Sequence, residues 1–224
     1  FFLNNLGTSY YNIKNFEEAE YYFKRALEIN PKYITAINNL ANLKYDLDLI
    51  DEAKKLYNQA LELNNNLLEP NYNLASFSQS TGDFDKAIYH YKKVLKINPK
   101  FTKADRNISM MTKYSLENEH FIEMKNKLNN KNLNNFEKLE LHFAIGKAYD
   151  DLKDYKESFS NIDYANSLKK EITKYSIKKD IKLFENIKKI FSLTESYKFT
   201  ENKKKIIFIL GMPRSVTSLV EHII

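Results

Sequence analysis

The chain has 224 residues, long enough for one or two domains with a sizeable buried core. It contains no cysteine, which excludes disulfide scaffolds and thiolate metal sites and fits a reducing, cytoplasmic setting. Its formal net charge of +6 is uneven: residues 1–165 carry 22 Lys/Arg against 23 Asp/Glu, and residues 166–224 carry 13 against 6. The basic residues neither interleave with aromatics nor fall in a nucleic-acid-binding motif, so no nucleic acid partner is expected. No secretory leader or membrane-length apolar run is visible, so no membrane partner is expected. Position 1 is Phe, and the helical pattern is already in phase at Leu3 and Leu6. The chain is therefore expected to begin inside a repeat and to be an excerpt of a longer protein.

An internal repeat governs the first two thirds. Asn5-Leu6-Gly7, Asn39-Leu40-Ala41, Asn73-Leu74-Ala75 and Asn107-Ile108-Ser109 recur at intervals of 34 residues. Ala19, Ala53 and Ala87 keep the same interval, as do the aromatics Phe23, Tyr57 and Tyr91, and Ala26, Ala60 and Val94. The small residue after each Leu lets one helix approach the next closely, the alanine is its reciprocal, and the aromatic fills the groove between them. Asn15 and Asp83 are placed to cap second helices, and Pro31 and Pro99 suit a first helical position, where a missing N–H costs nothing.

A period of 34 with these residue types resembles the tetratricopeptide repeat, a pair of antiparallel helices. The resemblance implies an all-α solenoid of about five helix pairs: residues 1–34, 35–68, 69–102, a degenerate 103–136, and 139–170. In the fourth unit Phe121 stands in place of the alanine and Lys125 in place of the aromatic, and an Asn-rich connector runs from Asn129 to Asn135. The fifth resumes three residues late, with Ile145-Gly146, Tyr149, a cap at Asp154, Tyr155, Ser158, Ile162 and Ala165. From Glu171 to Phe191 the residues Ile177, Ile181, Phe184, Ile187 and Phe191 trace one stripe, expected to form a single closing helix within a closing-and-linker segment, 169–202.

By the same resemblance the first helix of each pair builds the concave face. The residues expected to line it, and to hold a peptide or protein partner, are Asn4, Thr8, Tyr11 and Asn12, then Asn38, Asn42, Tyr45 and Asp46, then Tyr72, Ser76 and Gln79. This wall is polar and aromatic and lacks the paired lysines that capture a C-terminal carboxylate. His90, His120, His142 and His222 have no partner at metal-ligand spacing, so no metal is expected. Asp150-Asp151 reads as a solvated turn. Asn107-Ile108-Ser109 is formally a glycosylation triplet but falls within a helical pattern.

The rhythm changes at the C-terminus. Ile206 to Leu210 is an unbroken apolar run that reads as a buried strand; Gly211 breaks it, and Leu219, Val220, Ile223 and Ile224 resume at helical spacing. Strand, loop and helix N-terminus together make an anion site, because the first helical N–H groups have no internal partner and the loop adds hydroxyls and a guanidinium. Pro213, Arg214, Ser215, Thr217, Ser218, Leu219, Val220 and Glu221 resemble the 5′-phosphosulfate-binding loop that opens sulfotransferase domains.

That resemblance implies an α/β sulfotransferase domain beginning at residues 203–224, with 3′-phosphoadenosine 5′-phosphosulfate as donor and no metal. Gly211, Pro213, Arg214, Ser215, Val216, Thr217 and Ser218 would form the nucleotide site, Arg214 would neutralise charge on the bridging oxygens, and the catalytic base would lie beyond Ile224. The fragment alone is then not expected to be active. Val216 occupies the family's glycine position, where a β-branched residue at positive φ costs roughly 1–3 kcal/mol. The excess of basic charge near this loop suits steering of a polyanionic nucleotide. The other function open to the sequence is a protein–protein adaptor without catalysis.

Overall fold

A computed structural model describes residues 1–129, 132–174 and 176–193. The chain divides into two units, Phe1–Tyr175 and Ser176–Ile224. Among the described residues of the first, ten helices form five pairs: α1 (Phe2–Asn12) with α2 (Phe16–Ile29), α3 (Ile34–Asp46) with α4 (Ile50–Leu63), α5 (Leu68–Ser80) with α6 (Phe84–Ile97), α7 (Thr102–Met111) followed by α8 (Glu119–Leu128), and α9 (Asn135–Asp151) with α10 (Tyr155–Thr173). The described part of the second unit holds α11 (Ile177–Leu193). Every regular element among the described residues is α-helical.

The small-residue rule accounts for the pairing. Ala19, Ala53 and Ala87 are wholly buried, and Phe23, Tyr57 and Tyr91 are among the largest fully buried side chains. A Cβ added to Gly7 would meet the Phe23 ring at 2.7 Å and the Ala19 carbonyl oxygen at 3.3 Å, so only glycine admits that ring. Gly146 stands in the same relation to Ile162, at 2.7 Å. These contacts recur from pair to pair, giving a row of small cores strung along the stack.

The turns repeat as well. Asn15, Asp83 and Asp154 cap α2, α6 and α10, each side chain accepting the N–H of the residue three ahead. Lys14, Asp48 and Gly82, again 34 residues apart, hold positive φ of 60°, 60° and 79°, the left-handed step that reverses the chain between paired helices. Between pairs, Asn30, Asn64 and Asn98 each accept the backbone N–H two residues on, at 3.1, 3.0 and 3.0 Å. Pro31 and Pro99 are corrected by this: they belong to those turns, ahead of N-caps Tyr33 and Phe101, and do not begin a helix.

The fourth pair departs from the rest. Helix α7 packs against α6 and directly against α9, while α8 leans on α9. Phe121 and Met124 of α8 join Tyr114, Leu133, Leu141, Ala144 and Ile145 in a separate apolar core. Asp151 is no solvated turn: its carboxylate accepts the Tyr114 backbone N–H at 3.0 Å and pairs with Lys147 at 2.5 Å, fixing the segment after α7. The closing helix expected from Glu171 to Phe191 forms as α11, whose range holds every residue of the stripe, but it starts later, because Lys174 takes a left-handed conformation (φ 48°) and ends α10 before α11 begins. The strand and loop expected from Ile206 lie outside the described residues.

Replacing Gly7 with Ala forces the Phe23 ring off its seat and is expected to destabilise the stack by about 1–3 kcal/mol, read as a lowered urea midpoint with an unchanged slope.

Candidate functional site

The first helices of successive pairs, α1, α3 and α5, lie side by side and are joined by side-chain hydrogen bonds. Asn39 donates to the Asn4 amide oxygen at 3.0 Å and to the Thr8 hydroxyl at 3.3 Å. Asn73 donates to the Tyr57 hydroxyl at 2.8 Å, and Asn107 to the Tyr91 hydroxyl at 2.8 Å. The repeated asparagine therefore bridges to the unit before it. Where that unit carries Tyr at the aromatic position the phenol is its partner; where it carries Phe23, which has no hydroxyl, the asparagine reaches Asn4 and Thr8. Burial pushes the Tyr91 hydroxyl up to about 12 and raises the Tyr57 hydroxyl well above its usual range, so both stay neutral hydrogen-bonding groups.

These bridges sort the residues expected on the concave face. Asn4 is only 3% exposed and serves Asn39. Thr8 donates to the Asn4 carbonyl at 3.0 Å, and Gln79 accepts the Tyr91 hydroxyl at 2.9 Å. Tyr72 packs edge-on against Tyr91 and Phe101, with Lys103 above its ring at 5.3 Å. Asn42 accepts the Tyr57 hydroxyl at 2.5 Å and turns its amide to Glu69 at 2.8 Å; Asn38 donates to the other Glu69 oxygen at 2.6 Å. The Asn38 amide oxygen is buried without a partner.

Asn12, Tyr45 and Asp46 are exposed, and Ser76 is half-buried. Tyr45, 46% exposed, leans on Phe77 at 5.4 Å between ring centres. Asp46 accepts the hydroxyl of Tyr11, and that bond together with burial pushes the phenol up to about 12, burial being the larger effect. Tyr45, Asp46 and Ser76 also border a cleft of about 570 Å³ with Asp48, Ile50, Phe77 and Ser80. Glu69, which the sequence reading did not single out, is the other charged residue of this wall. Its position between Asn38 and Asn42 depends on a contact 27 to 31 residues back along the chain, which no local pattern announces.

The histidines are fixed by other contacts. Asn71 spends its amide on the Asn65 and Leu67 carbonyls, so its oxygen accepts from His90 Nδ1 at 2.9 Å. Burial, helped by Lys93 and Lys86, holds His90 below its usual value. His120 lies between the Tyr114 hydroxyl at 2.8 Å and Asp105 at 3.1 Å, and Lys127 also meets Asp105, at 2.7 Å. His142 meets Asn161 at 2.9 Å. Asn107 and the buried Ser109 lie within α7, so the glycosylation triplet is part of the packed stack. His222 and the loop from Gly211 to Ser218, including Pro213, Arg214, Ser215, Val216 and Thr217, lie outside the described residues. No helix among the described residues is long and apolar enough to cross a membrane.

Family models of the tetratricopeptide repeat match residues 1–33 and 32–100. Residues 1–100 are tetratricopeptide repeats. Solved structures extend the fold likeness beyond that span. MamA is 19% identical at a TM-score of 0.59, over 75% of this chain and 97% of its own. YrrB, described as a TPR protein with an unusual peptide-binding site, is 16% identical at 0.59, over 74% of this chain and 84% of its own. A MamA double mutant is 14% identical at 0.61, over 76% and 94%. No curated protein matches the sequence.

Replacing Tyr57 with Phe removes one hydroxyl and leaves both Asn42 and Asn73 short of a partner between two repeats. The expected loss is about 1–3 kcal/mol in urea unfolding, with little change in helical circular dichroism at low denaturant.

Proposed function

We propose that the repeats hold an extended segment of a partner protein along the wall formed by α1, α3 and α5. The observation that carries this reading is that Asn4, Thr8, Asn42 and Gln79 are taken up by hydrogen bonds to neighbouring helices. This leaves an outer row in which Tyr45, Asp46 and Glu69 are exposed yet held by Phe77, Tyr11 and the Asn38 and Asn42 amides, with Asn12 exposed and Ser76 half-buried beside them. Side chains already immobilised by their neighbours lose little further freedom when a peptide arrives, which favours binding. A wall of amides, hydroxyls and tyrosines supplies donors, acceptors and flat apolar faces for a main chain of any sequence. The peptide-binding site named for YrrB, on the same fold, supports it. A photo-cross-linking amino acid placed at Tyr45 is expected to capture a discrete partner in cells, while the same probe at Tyr21, exposed on α2, captures none. Equal capture from both positions, or none from either, overturns the reading.

A second reading rests on the sequence of residues 206–224. Pro213, Arg214, Ser215, Thr217 and Ser218 suit the 5′-phosphosulfate end of 3′-phosphoadenosine 5′-phosphosulfate, and in that case the repeats serve a sulfotransferase whose remaining residues lie past Ile224. The chemistry behind it is charge: a guanidinium and two or three hydroxyls at a helix start are strong phosphate donors. In the complete protein, Arg214→Ala is expected to weaken binding of 3′-phosphoadenosine 5′-phosphate about tenfold or more, and Val216→Gly to tighten it. An unchanged dissociation constant for Arg214→Ala removes the enzyme reading and leaves the adaptor alone.

A further inference from the structure

The charges of the peptide wall all have one sign. Among residues of α1, α3 and α5 the only Lys or Arg is Lys44, and it is buried with its ammonium turned away, 2.8 Å from Glu20 of α2 and 3.1 Å from Glu52 of α4. The acidic residues of the same three helices are Asp46 and Glu69. Neither pairs with a cation among the described residues; each is held by neutral donors, Glu69 by the Asn38 and Asn42 amides and Asp46 by the Tyr11 hydroxyl. Such donors fix where a carboxylate points and leave its charge, and further acceptor positions on its oxygens, uncompensated.

An occupant that covers this wall strips water from both carboxylates. A neutral segment offers only dipolar N–H and O–H donors and an acidic one adds repulsion, so much of the cost of burying those charges stands; a basic side chain offsets it with a charge-assisted bond. The cleft beside Asp46 adds a shape argument. Tyr45, Phe77 and Ile50 line it together with Asp46 and Asp48, a mixture of aromatic, apolar and carboxylate groups that suits the aliphatic stem and charged head of lysine or arginine. Lys54, 5.6 Å from the Phe77 ring centre, lines a different cavity. Further along the stack cations appear on the first helices, with Lys103 over Tyr72 and Arg106 paired with Glu140, so the wall's carboxylates without a cation among the described residues are those of α3 and α5.

We propose that the segment bound by the repeats is basic, an extended peptide carrying lysine or arginine seated against Asp46 and Glu69. This rests on the peptide-groove reading above and adds the chemical class of the partner. The test is selection of a random linear phage-displayed peptide library on the 224-residue chain, followed by titration of the enriched peptides against the wild type and against Asp46→Asn/Glu69→Gln. Enrichment in Lys and Arg is expected, with affinity falling about tenfold or more in the double variant and also weakening as salt rises. The variant's melting curve, taken alongside, separates lost charge from lost fold, and Tyr45→Ala supplies a second probe of the same site. Peptides enriched without basic residues, or basic peptides bound equally well by a folded double variant, overturn the charge assignment while the groove stands. No enriched peptide at all overturns both.

Discussion

The stack depends on one contact repeated at 34-residue intervals: a ring seated on a small residue, sealed by an asparagine from the next unit. Gly7, Ala41 and Ala75 leave the space; Phe23, Tyr57 and Tyr91 fill it; Asn39, Asn73 and Asn107 close it. The hydrophobic part supplies most of the stabilisation, since a fully buried aromatic contributes roughly 1.5–3 kcal/mol. The polar part sets the register. A buried phenol without a partner is costly, so each tyrosine obliges the following unit to present its amide at one height, and adjacent repeats cannot slide past each other by a turn.

The same contact explains why the inner wall is so ordered. Tyr57 reaches Asn42 as well as Asn73, and Asn42 in turn grips Glu69, so core and wall are parts of one hydrogen-bonded chain. A site held in this way is built by the repeat junction itself, on helices and not on loops, which keeps its geometry tight. The function proposed for the wall is thus a by-product of how the units are fastened together.

Much of this was legible in the sequence, for a physical reason: small and aromatic residues at fixed spacing leave few ways to pack. The alanines, the aromatics, the caps at Asn15, Asp83 and Asp154 and the weakness of the fourth unit follow from spacing alone. The inner wall was legible only as a face. Helical position told which residues sit there but not that Asn4 and Thr8 are engaged by Asn39 of the next repeat, or Gln79 by Tyr91 of the paired helix, because those partners lie far off along the chain. The asparagines at 30, 64 and 98 shape the turns, yet they mark them less plainly in the sequence than their neighbours Pro31 and Pro99 do. The break at Lys174 was hidden for a different cause: a lysine in a left-handed conformation leaves no compositional mark.

The junction between the fourth and fifth units lacks both members of the sealing pair. Sixteen residues separate Tyr57 from Asn73 and Tyr91 from Asn107; the equivalent positions are Lys125 and, with the three-residue lag of the fifth unit, Ala144, which is buried beside Phe121 and Met124. Apolar surfaces accept many offsets where a phenol and an amide accept one. The chain uses that latitude, since the fifth unit restarts three residues behind the period without breaking the stack. The junction around α8 is therefore the place where this array tolerates a change of length, and the natural seam at which repeats from another array would splice in.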